Sequence, residues 1–222
     1  MTGLMSATAL KFIACVCMLV DHLGVALFDG IPAFRMVGRL AFPLYCFLLT
    51  ESFFHTTSRP RYAGRLAAFA LLSEIPFDLL ACRTLWSLQK QNVFFTLLLG
   101  LLAIWCLEAW KDRPFLSLPV AGLCALAAHL LRADYGWFGV LLIVALYACH
   151  SSRLLQSGMM ALLCVGYALC NQSMISLCAA ASALLLLGYN GRKGRGGCKY
   201  FFYAFYPCHL LVLVLLRALF AG

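Results

Sequence analysis

The chain has 222 residues, of which 64% are hydrophobic and only 11% are charged. With a mean hydropathy of +0.92, this composition excludes a soluble globular domain, because a soluble surface of that size carries far more charge. The formal net charge of +9 does not indicate nucleic-acid binding, because the basic residues fall mainly in short connections, where membrane topology and lipid head groups explain them. We therefore expect an all-α, polytopic membrane protein that contacts membrane lipid and no nucleic acid.

Apolar segments follow one another along the whole chain, and their lengths are typical of transmembrane helices. They cover residues 8–28, 38–55, 63–82, 92–110, 115–132, 135–150, 153–170, 173–189 and 200–220. Several are shorter than the roughly 20 residues of a perpendicular span, so residues 115–150 fit either two short helices or one helical hairpin. We predict about nine transmembrane helices in one bundle, which forms a single domain over residues 1–222.

The basic residues of the connections predict the orientation of the chain. With a cytoplasmic N-terminus, the inward-facing basic residues are Arg59, Arg61, Arg65, Lys111, Arg113, Arg153, Arg192, Lys193, Arg195 and Lys199. The outward-facing ones are then Arg35, Arg39, Arg83, Lys90, Arg132 and Arg217. This excess predicts a bacterial cytoplasmic (inner) membrane protein with its N-terminus in the cytoplasm. The first segment lacks a basic start and a small-residue cleavage site, so we expect it to be retained.

The first segment, LKFIACVCMLVDHLG, contains polar residues that a simple membrane anchor does not need. Lys11 and His22 are eleven residues apart, which is about 20° beyond three full helical turns, so both lie on one helix face about 16 Å apart. A buried ionisable group in a membrane is costly and is therefore a functional hypothesis. Two interpretations of His22 stay open: a catalytic base, or a histidine that only hydrogen-bonds a neighbouring helix.

Further ionisable groups lie within the later segments. Asp21 and Arg39 have similar predicted depths, so they can form a salt bridge that is either structural or part of a site. Glu74 and Asp78 share a helix face unless Pro76 rotates them apart. The twelve cysteines are interpreted as small buried side chains, and no spacing indicates a metal site.

The end of the chain contains the two stretches NGRKGRGGCK and FYAFYPCHLL. In the first stretch, glycines alternate with basic residues, a composition that suits phosphate binding, although it matches no Walker-type loop. In the second, His209 lies near the middle of the membrane, where it could approach His22. Pro207, two residues earlier, can free a backbone carbonyl or kink the helix.

With these motifs side by side, the chain resembles the TraX family, whose founding member is the F-pilin N-terminal acetylase. The matching stretches are LKFIACVCMLVDHLG, GRLAFPLYCFLLTESF, RLAAFALLSEIPFDL, NVFFTLLLG, ADYGWFGVLLI and YNGRKGRGGCKYFFYAFYPCHLL. The family is similar to the acyltransferase-three superfamily, membrane enzymes that move acetyl groups from cytoplasmic acetyl-CoA to extracytoplasmic acceptors. Their first helix carries a basic residue, ten further residues and a histidine, a spacing that Lys11 and His22 reproduce.

The resemblance implies roles for the polar residues. His22 would be the general base, with Asp21 orienting it. The residues expected to bind acetyl-CoA are Lys11, Arg65, Arg192, Arg195, Lys199, Tyr206 and His209. The residues expected to form the acceptor pocket are Arg39, Glu51, Glu74, Asp78, Asn92, Thr96, Asp134 and Tyr135.

Several alternatives stay open from the sequence. The acceptor could be a pilin N-terminus, a glycan, a lipid or a small molecule, acetylated on nitrogen or oxygen, directly or through an acetyl-histidine. The chain is shorter than typical acyltransferase-three members and has about nine spans rather than ten. A homodimer is left open. The alternative function is a small transporter with a polar midplane site, although the chain lacks the internal repeats common in such folds.

Overall fold

The computed structural model describes residues 3–28, 30–194 and 199–220, and the regular elements within these ranges are helices. In chain order they are α1 (Ala7–Ala26), α2 (Pro32–Gly38), α3 (Ala41–His55), α4 (Arg59–Ala81), α5 (Val93–Ala109), α6 (Pro114–Leu130), α7 (Gly136–Ala148), α8 (Arg153–Cys170), α9 (Met174–Leu177), a 3-10 turn (Cys178–Ala181), α10 (Ser182–Leu187) and α11 (Lys199–Phe220).

The predicted all-α membrane fold is confirmed. Within the described ranges, four helical stretches are long and apolar enough to cross a membrane, namely Ala7–Ala26, Pro32–His55, Arg153–Cys170 and Tyr200–Phe220. Shorter apolar helices occupy Val93–Ala109, Pro114–Leu130, Gly136–Ala148 and Met174–Leu187. Residues 115–150 contain the two helices α6 and α7, which pack against each other.

The connections define two ends of the bundle. At the end where α1 begins, here called the proximal end, the amide of Ala7 donates to the carbonyl of Arg192 (2.9 Å). At the end where α1 finishes, the distal end, the amide of Gln91 donates to the carbonyl of Arg132 (3.1 Å). Because these bonds join connections far apart in sequence, residues from α1, α4, α5, α7 and α11 meet in the same layers.

Glycines let the helices approach closely in the distal half. A Cβ on Gly139 of α7 would overlap the methyl group of Thr96 on α5, and a Cβ on Gly24 of α1 would overlap Phe34 of α2. Small residues at such crossings allow the backbone-to-backbone packing that stabilises membrane helices. Large apolar side chains such as Leu71, Leu162 and Leu215 are exposed on the outside of the bundle, as a lipid-facing surface requires.

Candidate active site

The two intramembrane histidines meet between α1 and α11. Nδ1 of His22 lies 2.7 Å from Nε2 of His209, and the two rings stack with their centroids 4.9 Å apart. Nδ1 of His209 lies 2.6 Å from the carbonyl oxygen of Phe205, one turn earlier on α11. The approach of His209 to His22, expected from their predicted depths, is thus present in the structure.

This chain of hydrogen bonds assigns the protons when both rings are neutral. The Phe205 carbonyl can only accept, so Nδ1 of His209 must carry a proton and donate it. Nε2 of His209 is then an acceptor, and Nδ1 of His22 must donate to it. The remaining nitrogen of His22, Nε2, is therefore left with a free lone pair. The arrangement holds His22 in the tautomer that a general base needs.

Aromatic side chains surround this pair of histidines. Tyr206 is buried, and its ring centroid lies 5.9 Å from that of His22 and 5.7 Å from that of His209. Phe94 of α5 contacts the Tyr206 ring edge-on at 5.2 Å. Phe205 stacks on His209 at 4.8 Å. These rings limit access of water to the pair and keep the imidazoles in one orientation.

Lys11 lies on the same seam, towards the proximal end. Its ammonium group is 5.4 Å from the ring centroid of Phe202 on α11. Phe202 and His209 are seven residues apart, so they share one face of α11. Lys11 and His22 therefore both face α11, in agreement with their spacing on α1.

Other basic groups gather around the proximal end of this seam. The guanidinium of Arg65 lies 5.8 Å from the ring centroid of Tyr203, and its Nε is buried without a hydrogen-bond partner among the described residues. The amide of Thr8 donates to the carbonyl of Lys193 (3.0 Å), so the basic connection lies against the start of α1. Arg192 is exposed there. Arg195 lies outside the described residues, and Lys199 begins α11 with a side chain that is also outside the described part.

Asp21 pairs with Arg35 and not, as the sequence suggested, with Arg39. Oδ2 of Asp21 accepts from Arg35 at 2.8 Å, whereas Arg39 donates to the hydroxyl of Tyr135 at 3.2 Å. The physical reason is the tight packing of α2 on α1, in which a Cβ on Gly38 would overlap the Asp21 carboxylate. Residues 35 and 38 share one face of α2, so Arg35 also faces Asp21. Asp21 points about 100° away from its neighbour His22 on the helix.

The other distal polar residues form a layer across α4, α5 and α7. The amide of Asn92 donates to Glu74 Oε2 (2.5 Å), and the Thr96 hydroxyl donates to the carbonyl of Asp134. Asp78 accepts from the amide of Ser87 at 2.7 Å. Both acidic residues of α4 are buried on the same side of the helix despite Pro76, and in the described part of the chain each keeps one carboxylate oxygen without a partner.

Tyr135 and Asp134 complete this layer where α7 begins. The Tyr135 ring stacks on Phe42 with centroids 3.7 Å apart, and Lys90 pairs with Asp134 at 2.9 Å. The structure thus brings together Arg39, Glu74, Asp78, Asn92, Thr96, Asp134 and Tyr135 in the distal half.

Glu51 is the exception among the predicted pocket residues. Because α3 runs from the distal to the proximal end, its residue 51 lies far from the distal layer. Its carboxylate accepts from the Tyr189 hydroxyl (2.9 Å) and pairs with His55 (3.4 Å) and Arg153 (3.8 Å). Burial, and then the charge of Glu51, raises the pKa of the Tyr189 hydroxyl, which therefore stays a donor. The placement of Glu51 in the acceptor pocket is corrected accordingly.

An open cleft at the distal end was not predicted from the sequence. Its volume is about 460 Å³. Its walls come from the ends of α1, α4 and α11 together with α2, α9 and the α1–α2 connection, and arginines supply their charge. The lining residues are Gly24, Val25, Phe28, Gly30, Ile31, Pro32, Arg35, Leu80, Ala81, Arg83, Ile175 and Arg217. The only sequence signal was the set of outward-facing basic residues, which included Arg35, Arg83 and Arg217 without placing them together.

Comparison with known proteins identifies relatives of the whole chain. The family model described as "TraX protein" matches residues 6–217. The chain is also similar to a probable fimbrial assembly protein, FimC of serogroup H1, from Dichelobacter nodosus. The two are 33% identical over 232 aligned residues, which cover 94% of each chain. No solved structure matches the chain.

Proposed function

The chain belongs to the TraX family, and we propose on this premise that it is a membrane-embedded acetyltransferase. It would move an acetyl group from cytoplasmic acetyl-CoA to an amine or hydroxyl of an acceptor at the opposite face of the membrane. Its relative is named as a fimbrial assembly protein, so a pilin-like subunit is one class of acceptor, beside glycans, lipids and small molecules. The proposal places the proximal end in the cytoplasm, in the bacterial inner membrane.

The observation that carries the proposal is the hydrogen-bonded chain from Phe205 through His209 to His22. It leaves Nε2 of His22 unprotonated, and a neutral imidazole near pH 7 suits general-base catalysis. The lone pair of the acceptor nitrogen or oxygen would attack the acetyl carbonyl carbon. As it does so, Nε2 of His22 would take the proton from the acceptor N–H or O–H. The carbon–sulfur bond then breaks, the CoA thiolate leaves, and the proton passes from His22 to that sulfur. The products are the acetylated acceptor and CoA thiol.

His209 would support the charged state of His22 during this step. When His22 gains a proton, its Nδ1–H still donates to Nε2 of His209, whose own Nδ1–H is held by the Phe205 carbonyl. A charge-assisted bond of this kind is stronger than the neutral one, so the imidazolium is favoured as it forms. In this role His209 does what Asp21 was expected to do.

The proximal basic groups suit the phosphates of the acetyl donor. Arg65 has a buried Nε with no partner among the residues that the structure describes, and Lys11 and Arg192 approach the same mouth of the α1–α11 seam. Guanidinium and ammonium groups bind phosphate through charge-assisted hydrogen bonds. Lys11 and His22 are about 16 Å apart along α1, so one seam connects the phosphate-binding groups with the base.

The test uses the full-length protein purified into lipid nanodiscs. Release of CoA thiol from acetyl-CoA is measured with and without primary-amine acceptors, for wild type, His22→Ala and the control His129→Ala. His129 is exposed near the distal end of α6, so its variant should keep wild-type rates. We expect His22→Ala to lose at least about 100-fold of the rate, the usual share of a general base, with unchanged thermal unfolding. Wild-type rates in His22→Ala would contradict the proposal.

A further inference from the structure

The distal cleft opens between the same two helices that carry the histidine pair. Gly24 and Val25 line it and follow His22 by two and three residues, a rise of about 3 to 4.5 Å along α1. Arg217 of α11 lines the facing wall, two turns beyond His209. The cleft is therefore on the distal side of the pair, opposite Lys11.

The walls of the cleft combine apolar surface with concentrated positive charge. Arg35, Arg83 and Arg217 all line it. Among the described residues, the only carboxylate paired with any of the three is Asp21, which holds Arg35. Two guanidinium charges therefore remain without an ionic partner in the described part of the chain.

Arg217 is held in place by the end of α4. Its guanidinium donates to the carbonyls of Leu79 (2.6 Å) and Leu80 (2.9 Å), an arrangement that also suits the negative end of a helix dipole. These two bonds use only part of its five donors. Capping of α4 therefore explains the position of Arg217, but it explains neither Arg83 nor the open volume between the two residues.

Arg35 is fixed in the opposite wall by close packing. Gly24 and Gly38 let α2 lie directly on α1, and the Asp21–Arg35 pair forms in that contact. Apolar residues, including Val25, Phe28 and Leu80, line the same cleft. A partly desolvated wall strengthens charge pairing, and guanidinium groups bind carboxylate or phosphate in a bidentate way.

We propose that this cleft recognises an anionic group, a carboxylate or a phosphate, carried by the acetyl acceptor, with Arg83 and Arg217 as its charged contacts. The inference rests on the proposed function, because it identifies the occupant as the acceptor. A volume of about 460 Å³ falls in the range of small-molecule sites, about 300 to 1,000 Å³. It suits a head group or a short chain terminus, and Asp21 becomes a positioning residue that keeps Arg35 in the wall.

A binding experiment tests the cleft without requiring catalysis. Octyl phosphate and octanoate are titrated against the full-length protein in phosphatidylcholine nanodiscs, with octyl glucoside as the neutral probe. We expect an anionic probe to bind and the neutral probe not to compete. Arg83→Gln should weaken that binding about tenfold, the effect of losing one charge-assisted hydrogen bond.

Arg132→Gln is the matched control. Arg132, like Arg83, is exposed at the distal end with a positive φ (54° against 58°), but it is not part of the cleft lining. It should bind the probes as wild type does. Equal binding by Arg83→Gln, Arg217→Gln and wild type, or equal losses in Arg83→Gln and Arg132→Gln, would overturn the inference.

A second arm connects the cleft to acetyl transfer. Wild type should acetylate 2-aminoethyl octyl phosphate with a lower KM than octylamine, and Arg83→Gln should remove this preference. Arg132→Gln should keep both the preference and the wild-type kcat with octylamine. Binding without any transfer would contradict the proposed function and leave the anion site standing. Transfer to octylamine with neither anion binding nor anion preference would contradict the anion site and leave the proposed function standing. If phosphatidylglycerol added to the discs competes with the anionic probe, the anion belongs to a membrane lipid. If it does not compete, the anion belongs to an acceptor from solution.

Discussion

Two carboxylate–arginine pairs lie near opposite ends of the bundle, and their surroundings differ. At the proximal end, Glu51 has both oxygens engaged, and the guanidinium of Arg153 lies over the ring of Phe47 at 4.8 Å and that of Tyr189 at 4.6 Å. At the distal end, Asp21 pairs with Arg35, and its Oδ1 is buried with no partner in the described ranges. One pair is closed in by rings and the other borders an open cleft.

The contrast separates a structural ion pair from one available for function. Partners that satisfy both oxygens of Glu51 and cover the cation leave no group for a ligand. The proximal cluster therefore only joins α3, α8 and the α10–α11 connection. A buried oxygen without a partner costs free energy unless a water or a ligand reaches it. The distal pair therefore fits a site whose contacts are completed during function.

The largest expected effect comes from His209, which in the proposed mechanism orients the base His22. His209→Leu removes the acceptor for Nδ1 of His22, and we expect kcat for acetyl transfer to fall about 100-fold with little change in KM. His209→Gln places an amide oxygen near the lost Nε2 and should recover much of the rate. A merely structural role predicts equal rates in both variants. Thermal unfolding of each variant is the control for folding.

Replacing the carboxylate of each pair by an amide tests directly whether the proximal pair is structural and the distal pair functional. Glu51→Gln leaves Arg153 without its anion in a largely covered position, and we expect unfolding to become easier by about 2 kcal/mol. Activity per folded molecule should not change. Asp21→Asn should give the converse pattern. Unfolding should change little, and the acceptor KM should rise clearly because Arg35 loses the carboxylate that holds it in the cleft wall. The measurements are SDS unfolding and steady-state kinetics; a larger stability loss in Asp21→Asn would remove the distinction.

A smaller effect is expected for the donor side of the proximal end. Arg65→Gln should raise the KM for acetyl-CoA about tenfold, because one phosphate contact is lost, with kcat unchanged. Arg61→Gln, an exposed residue one turn earlier on α4, is the control and should behave as wild type. If both variants or neither change KM, Arg65 is not a phosphate contact.

The smallest effect is expected for the hydroxyl that completes the proximal cluster. Tyr189→Phe removes only the bond to Glu51, and the unfolding free energy should fall by about 1 kcal/mol, as for a typical hydrogen bond. Transfer kinetics should not change. A loss of activity greater than the loss of folded protein would show that the proximal cluster takes part in function.

The helical segments and the shared face of Lys11 and His22 were predictable from the sequence, since apolar runs and the helical period are local properties of the chain. The meeting of His22 with His209 was also accessible, because both residues have similar depths in their segments. The sequence contains these depths because the thickness of the membrane fixes the length of a span and therefore the depth of each residue within it.

Only the tertiary structure decided which groups became partners. Arg35 and Arg39 are equally basic and one turn apart, and the close contacts of Gly24 and Gly38 select Arg35 for Asp21. Glu51 belongs to a structural cluster because residues from α8 and the α10–α11 connection reach it. The ends of α1, α4 and α11 all contribute to the cleft lining, so the cleft is a property of packing between segments distant in sequence. Side-chain partnership and open volume depend on these long-range contacts, which no local period encodes.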